Sequence, residues 1–86
     1  MLFMNIATWK PSQRDEIIKR RVEKGAMVPD GVKVTGEWVD LSGGRVFTLY
    51  EADDPKVLAQ WGLAWNDLTK DETAIVMDAE EVMKLL

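Results

Sequence analysis

From Leu2 to Trp9 every position except Asn5 and Thr8 is apolar. A near-continuous run of this length predicts a first strand covered on both faces, where a half-exposed strand would alternate. Pro11-Ser12-Gln13-Arg14-Asp15 then signals a helix, with Ser12 as N-cap and Asp15 at the third position, where an acid completes a capping box. Ile17, Ile18, Arg21 and Val22 recur at helical spacing. Gly25 ends the helix, after Lys19, Arg20, Arg21 and Lys24 have placed positive charge near its C-terminus.

The pattern changes period after the turn residues Pro29-Asp30-Gly31. Val32, Val34, Gly36 and Trp38 alternate with Lys33, Thr35, Glu37 and Val39, a second strand. Leu41-Ser42-Gly43-Gly44 supplies a hairpin loop, and Arg45–Glu51 returns antiparallel as a third strand. Asp53-Asp54-Pro55 opens a second helix, with acids before a proline at its first position. Leu58, Trp61, Trp65 and Leu68 give that helix a bulky stripe. Thr73–Met77 reads as a fourth strand, and Asp78-Ala79-Glu80-Glu81 starts a short last helix carrying Val82, Met83, Leu85 and Leu86.

The order β-α-β-β-α-β predicts a single α+β domain over residues 1–86. The expected fold is ferredoxin-like: a four-stranded antiparallel sheet with two helices on one face, plus the short C-terminal helix. Strict period two assigns Leu2, Met4, Ile6, Val32, Val34, Trp38, Phe47 and Leu49 to the helix-facing side. Phe3, Asn5, Ala7, Trp9, Val39, Val46 and Tyr50 are then left on the open side. An open face this apolar predicts a homodimer joined through it, two sheets packing about a two-fold axis.

Composition supports the dimer expectation. A chain of 86 residues folding alone hides only about 60–65% of the surface its unfolded form exposes. It holds no cysteine, so no disulfide framework compensates, and thiolate chemistry is excluded. It also holds no histidine, which excludes a histidine base, a His-ligated haem and His-containing metal sites. Charge is uneven: +3 over Lys10–Lys24 against −7 elsewhere. An acidic surface argues against nucleic acid as a partner. The Arg45–Tyr50 strand faintly echoes an RNA-recognition motif, but Val46 stands where the motif has glycine, and Leu49 where it has a stacking aromatic. No stretch approaches the ~20 apolar residues of a membrane span. The expectation is a soluble cytoplasmic protein with no membrane or nucleic-acid partner.

Two clusters have competing explanations. Glu51, Asp53 and Asp54 could bind a hard cation, yet helix capping accounts for them better, and no metal or cofactor is expected. Gly43-Gly44 is a hairpin turn, since it does not lie between a strand and a helix as a phosphate loop would.

Several segments are distinctive together: the Met1-Leu2-Phe3-Met4 opening, Trp9, Pro11, Arg14-Asp15, Val34-Thr35-Gly36-Glu37-Trp38 and Gly43-Gly44-Arg45, then Asp53-Asp54-Pro55 and Trp61–Leu68. With these, nearly the whole chain resembles a small, uncharacterised domain-of-unknown-function family (3303-type) of the dimeric α/β-barrel superfamily. The resemblance implies the fold and the dimer. The superfamily spans cofactor-independent monooxygenases, haem-degrading enzymes, muconolactone isomerases, stress-responsive barrels and ligand-sensing domains, so it does not choose an activity.

Cofactor-free oxygenases of that superfamily hold aromatic substrates with amide, phenol and indole groups. The resemblance thereby makes Asn5, Trp9, Glu37 and Tyr50 candidate ligand-binding residues, with Lys33, Thr35 and Thr48 nearby. The competing account has Trp9 and Tyr50 packing the dimer interface and Lys33 pairing with Glu37 in solvent. The functional expectation is a homodimer binding a small aromatic or apolar molecule. The alternative is a non-catalytic protein-interaction or regulatory module, and third a monooxygenase-like enzyme with Glu37 as its base.

Overall fold

The computed structural model describes Met1–Leu86 and contains four strands, two long helices and a short one. Strand β1 (Leu2–Thr8) is followed by a 3₁₀ turn (Pro11–Gln13) and helix α1 (Arg14–Lys24). Strands β2 (Val32–Val39) and β3 (Arg45–Ala52) form a hairpin, helix α2 (Pro55–Trp65) leads to strand β4 (Lys70–Val76), and helix α3 (Ala79–Met83) ends the chain. The sheet order is β2-β3-β1-β4, antiparallel throughout. This is the ferredoxin-like arrangement. None of the helices is long and apolar enough to cross a membrane.

Local chemistry explains most boundaries. Asp54 caps α2 by accepting a hydrogen bond from the Lys56 N–H at 2.9 Å, and Asp78 caps α3 through the Glu80 N–H at 2.8 Å. Asp54 is thus occupied as a cap, and no three acidic groups gather into a metal-holding cluster. Gly25 takes φ +70°, and its N–H closes α1 on the Arg21 carbonyl at 2.9 Å. In the hairpin loop Asp40 accepts from the Ser42 N–H and hydroxyl and from Arg45 Nε. Those donors, the Ser42 hydroxyl foremost, hold its carboxyl below the usual range.

Three expectations need correction. Ser12 is not a cap: the chain enters the helix through the 3₁₀ turn, where Gln13 Oε1 accepts from the Lys10 N–H at 3.0 Å. β4 begins at Lys70, three residues earlier than its apolar signal, because Lys70-Asp71-Glu72 lies on an edge strand where charge is tolerated.

The third correction reverses the faces. Phe3, Ala7, Thr48, Tyr50 and Ala52 are the buried residues, and Val32, Val57, Leu58 and Trp61 pack against the Phe3-Tyr50-Ala52 cluster. Phe3, Asn5, Ala7, Val46 and Tyr50 therefore face the helices, while Leu2, Met4, Ile6, Phe47 and Leu49 lie on the open side. β2 is split between these readings by a bulge between Val34 and Gly36. Thr35 is the unpaired residue, and its hydroxyl donates to the Leu49 carbonyl at 3.1 Å. The bulge shifts the phase by one, so Val32, Val34, Glu37 and Val39 share the helix side while Gly36 and Trp38 fall on the open side.

The helices do not seat equally. α2 docks on β3 through Val57, Leu58 and Trp61, whose ring meets Tyr50 edge-on at 5.1 Å between centroids. Neither helix has a fully buried residue, but the α1 backbone stays farther off the sheet than that of α2. The radius of gyration of the whole chain, 14.0 Å, exceeds the ~12 Å of a compact chain this long.

Candidate functional site

The gap between α1 and the sheet is a cavity of about 610 Å³. That lies within the ~300–1,000 Å³ range of small-molecule sites. Its floor is the helix-facing side of the sheet and its roof is the inner stripe of α1, namely Arg14, Ile17, Ile18, Arg21 and Val22. Leu58, Trp61 and Trp65 of α2 form the far wall, and Trp9, Gly43 and Gly44 close one end. Backbone pairing holds that end, with the Trp9 N–H donating to the Gly44 carbonyl at 3.0 Å.

Register lays a polar row across this floor. Glu37 stands opposite Thr48, Thr48 opposite Asn5, and Asn5 opposite Thr73, one residue from each strand. The Thr48 hydroxyl donates to Glu37 Oε2 at 3.4 Å, and the Thr73 hydroxyl to Asn5 Oδ1 at 2.8 Å. The flanking rows are mainly apolar: Val34-Tyr50-Phe3-Ile75 on one side, Val39-Val46-Ala7 with Asp71 on the other. The Asn5 amide nitrogen has no partner within the protein, which leaves an N–H donor facing a largely apolar space.

Two further groups tune this floor. Tyr50 is nearly buried and stacks on Phe3 at 5.4 Å between ring centroids. Burial raises its phenol above the ordinary value, although the Thr73 hydroxyl opposes the rise, so Tyr50 stays a neutral hydrogen-bonding group at physiological pH. Arg21 crosses from α1 to Glu37, with Nη2 at 2.8 Å from Oε1 and Nη1 at 3.3 Å from Oε2. Both carboxylate oxygens are engaged, so a base role for Glu37 would require breaking this pair.

All four predicted site residues, Asn5, Trp9, Glu37 and Tyr50, line this one cavity. The cavity lies within the single chain, between the sheet and the helices. The expected packing of Trp9 and Tyr50 in a dimer interface is overturned, because both face the helix layer. Lys33 does not pair with Glu37, whose partner is Arg21, and neither Lys33 nor Thr35 lines the cavity. Arg14, Arg21, Asp71 and Thr73 were not foreseen as lining residues. The α1 stripe is readable from its spacing; Asp71 is not, since it precedes the apolar signal of β4, and Thr73 opens that signal but reaches the site only because β4 pairs with β1 opposite Asn5.

Polar contacts also join the two long helices and the segments that follow them. Arg20 grips Asp67 with two 2.7 Å contacts, donates to the Ala64 carbonyl at 3.0 Å and lies 5.7 Å from the Trp65 ring centre. The indole N–H groups of Trp61 and Trp65 both donate to the Ala26 carbonyl, each at 3.0 Å.

No curated protein matches the sequence. Among solved structures, an uncharacterized NIPSNAP domain protein from Burkholderia xenovorans aligns over 92% of this chain and 96% of its own, with a TM-score of 0.55 at 18% identity. A protein proposed to be an antibiotic biosynthesis monooxygenase from Deinococcus radiodurans aligns over 92% and 95%, with a TM-score of 0.52 at 14% identity. Likeness at such identities shows a shared fold, here the ferredoxin-like fold, and no shared chemistry. Sequence carries the assignment further: matching over residues 1–86, the chain belongs to the family described as Domain of unknown function (DUF3303).

Proposed function

We propose that the protein binds a small aromatic or apolar molecule bearing one hydroxyl or carbonyl oxygen, held in the cavity between sheet and helices. The carrying observation is the Glu37-Thr48-Asn5-Thr73 row with its unpartnered Asn5 N–H groups in an otherwise apolar space. An apolar body would lie against Ile17, Leu58 and Trp61 while its oxygen accepts from Asn5, the usual division of labour in small-molecule sites. The engagement of Glu37 by Arg21 favours binding over turnover. The monooxygenase-like neighbour adds a precedent in fold alone.

We also propose that two copies pair through their open sheet faces. Leu2, Met4, Ile6, Phe47, Leu49 and Trp38 make that face apolar, and Trp38 is 53% exposed in the single chain. A cytoplasmic setting fits a chain without cysteine.

Titration with 2-naphthol, followed by tryptophan fluorescence, tests the ligand reading. Saturable quenching is expected, and Asn5→Ala should weaken 2-naphthol by roughly 2- to 10-fold, the worth of one hydrogen bond, while leaving naphthalene unaffected. Absence of saturable binding, or equal losses for both probes, would overturn it.

A further inference from the structure

We infer that the molecule held in the cavity is an acid: besides the oxygen that meets Asn5 it carries a carboxylate, which the Arg14 guanidinium binds at the Trp9 end. This acid is a narrower form of the ligand proposed above and rests on that reading.

The chain has four arginines, and three of them are engaged by carboxylates. Arg20 holds Asp67, Arg21 holds Glu37 and Arg45 holds Asp40. The Arg14 side chain has no ion-pair partner, although acidic residues outnumber basic ones by 15 to 11 in the sequence. Arg14 and Arg21 stand seven residues apart on the inner stripe of α1, two turns or about 10 Å along the helix axis, so both overhang one space. Glu37 answers Arg21 from the sheet. Nothing answers Arg14.

Its surroundings explain the difference. The 3₁₀ turn joins Trp9 and Lys10 to Arg14, the first residue of α1, which places Arg14 at the end of the cavity that Trp9, Gly43 and Gly44 close. That wall carries no carboxylate, and a side-chain carbon added at Gly43 would meet nothing within 4 Å, so it also leaves room. Asp71, the second acid of the lining, accepts from the Thr69 hydroxyl at 2.9 Å and makes no ion pair.

A smaller cavity of about 360 Å³ adjoins this end, sharing Trp9 and Thr69 with the first and adding Lys10 and Lys70. Neither lysine has an ion-pair partner, and Asp67 on the same wall is held by Arg20. Arg14, Lys10 and Lys70 against Asp71 leave this end positive in a chain whose net charge is −4. A guanidinium fork matches a carboxylate with two parallel hydrogen bonds. A neutral ligand would leave it unused.

Calorimetric titration at neutral pH with 2-naphthol and 6-hydroxy-2-naphthoate, which differ by one carboxylate, tests this. Wild type should bind the acid roughly 3- to 10-fold more tightly, a modest preference because Arg14 is solvent-exposed. Arg14→Gln should bring the two affinities together by weakening the acid. Lys19→Gln, which removes the same charge away from the cavity, should keep the preference. Equal affinities in wild type, a preference that survives Arg14→Gln, or its equal loss in Lys19→Gln would each overturn the assignment. If 2-naphthol binds and the acid binds no better, the carboxylate falls while the ligand reading stands. If neither binds, the ligand reading falls and the carboxylate with it.

Discussion

Arg20 and Asp67 meet end to end, each terminal guanidinium nitrogen 2.7 Å from a different carboxylate oxygen. The Arg20 hydrogen bonds hold the Asp67 carboxyl below its ordinary value. An unfolded chain therefore takes up this proton at a higher pH than the folded one. The stabilisation is complete above the ordinary carboxylate range, near about pH 4, and is lost as pH falls through that range to the lower folded value. Thermal melts of wild type and Asp67→Asn should differ at neutral pH and converge at the acid end. A gap independent of pH would show that the ion pair is not its source.

Tyr50 is the only tyrosine, so tyrosinate absorbance near 295 nm reports it alone. Its raised pKa means that folding favours the neutral phenol. The contribution is present below the unfolded value, about 10, and is lost as pH rises through the folded one. The folded protein should titrate above that of the same chain in denaturant. Coincident midpoints would contradict the burial argument.

The shared acceptor at Ala26 makes a distinctive prediction. Trp61→Phe or Trp65→Phe removes one of two donors to the same carbonyl, a loss of about 0.5–1.5 kcal/mol from hydrogen bonding, and the other donor remains. The double variant leaves the carbonyl without its indole partners. Its destabilisation by denaturant should exceed the sum of the single losses, and strict additivity would argue against sharing.

The open face is tested by charge. Phe47→Glu adds a carboxylate beside Ile6 and Trp38, away from the cavity. Light scattering should report a dimer for wild type and a monomer for the variant, with 2-naphthol affinity kept in the monomer because the site lies within one chain. A wild-type monomer at micromolar concentration would refute the pairing.

Sequence was most informative where local chemistry decides. Asp54, Asp78, Gly25 and the Gly43-Gly44 turn announce their roles because capping and left-handed backbone depend on one or two residues. The faces of the sheet were hidden for the opposite reason: Leu2, Phe3, Met4, Ile6 and Ala7 are apolar on both sides, so period two carries no sign. Thr35 is an ordinary strand residue, and nothing in its identity reveals that it stands outside the pairing. The site residues nevertheless came out together, since Asn5 and Tyr50 share a face whichever way the sheet is turned. Glu37 joins them only through the bulge.

Thr35 makes the cavity tolerant of a change in chain length. Three residue steps from Val34 to Glu37 span the two from Tyr50 to Thr48, so the extra residue is taken up outside the ladder. Removing Thr35 would leave Val34 opposite Tyr50 and Glu37 opposite Thr48 in an unbroken pairing, and the carboxylate would keep its place beneath Arg21. Keeping every residue but closing the bulge would instead turn Glu37 outward and bring Trp38 beneath the helices. A one-codon deletion at this position is therefore silent in the cavity.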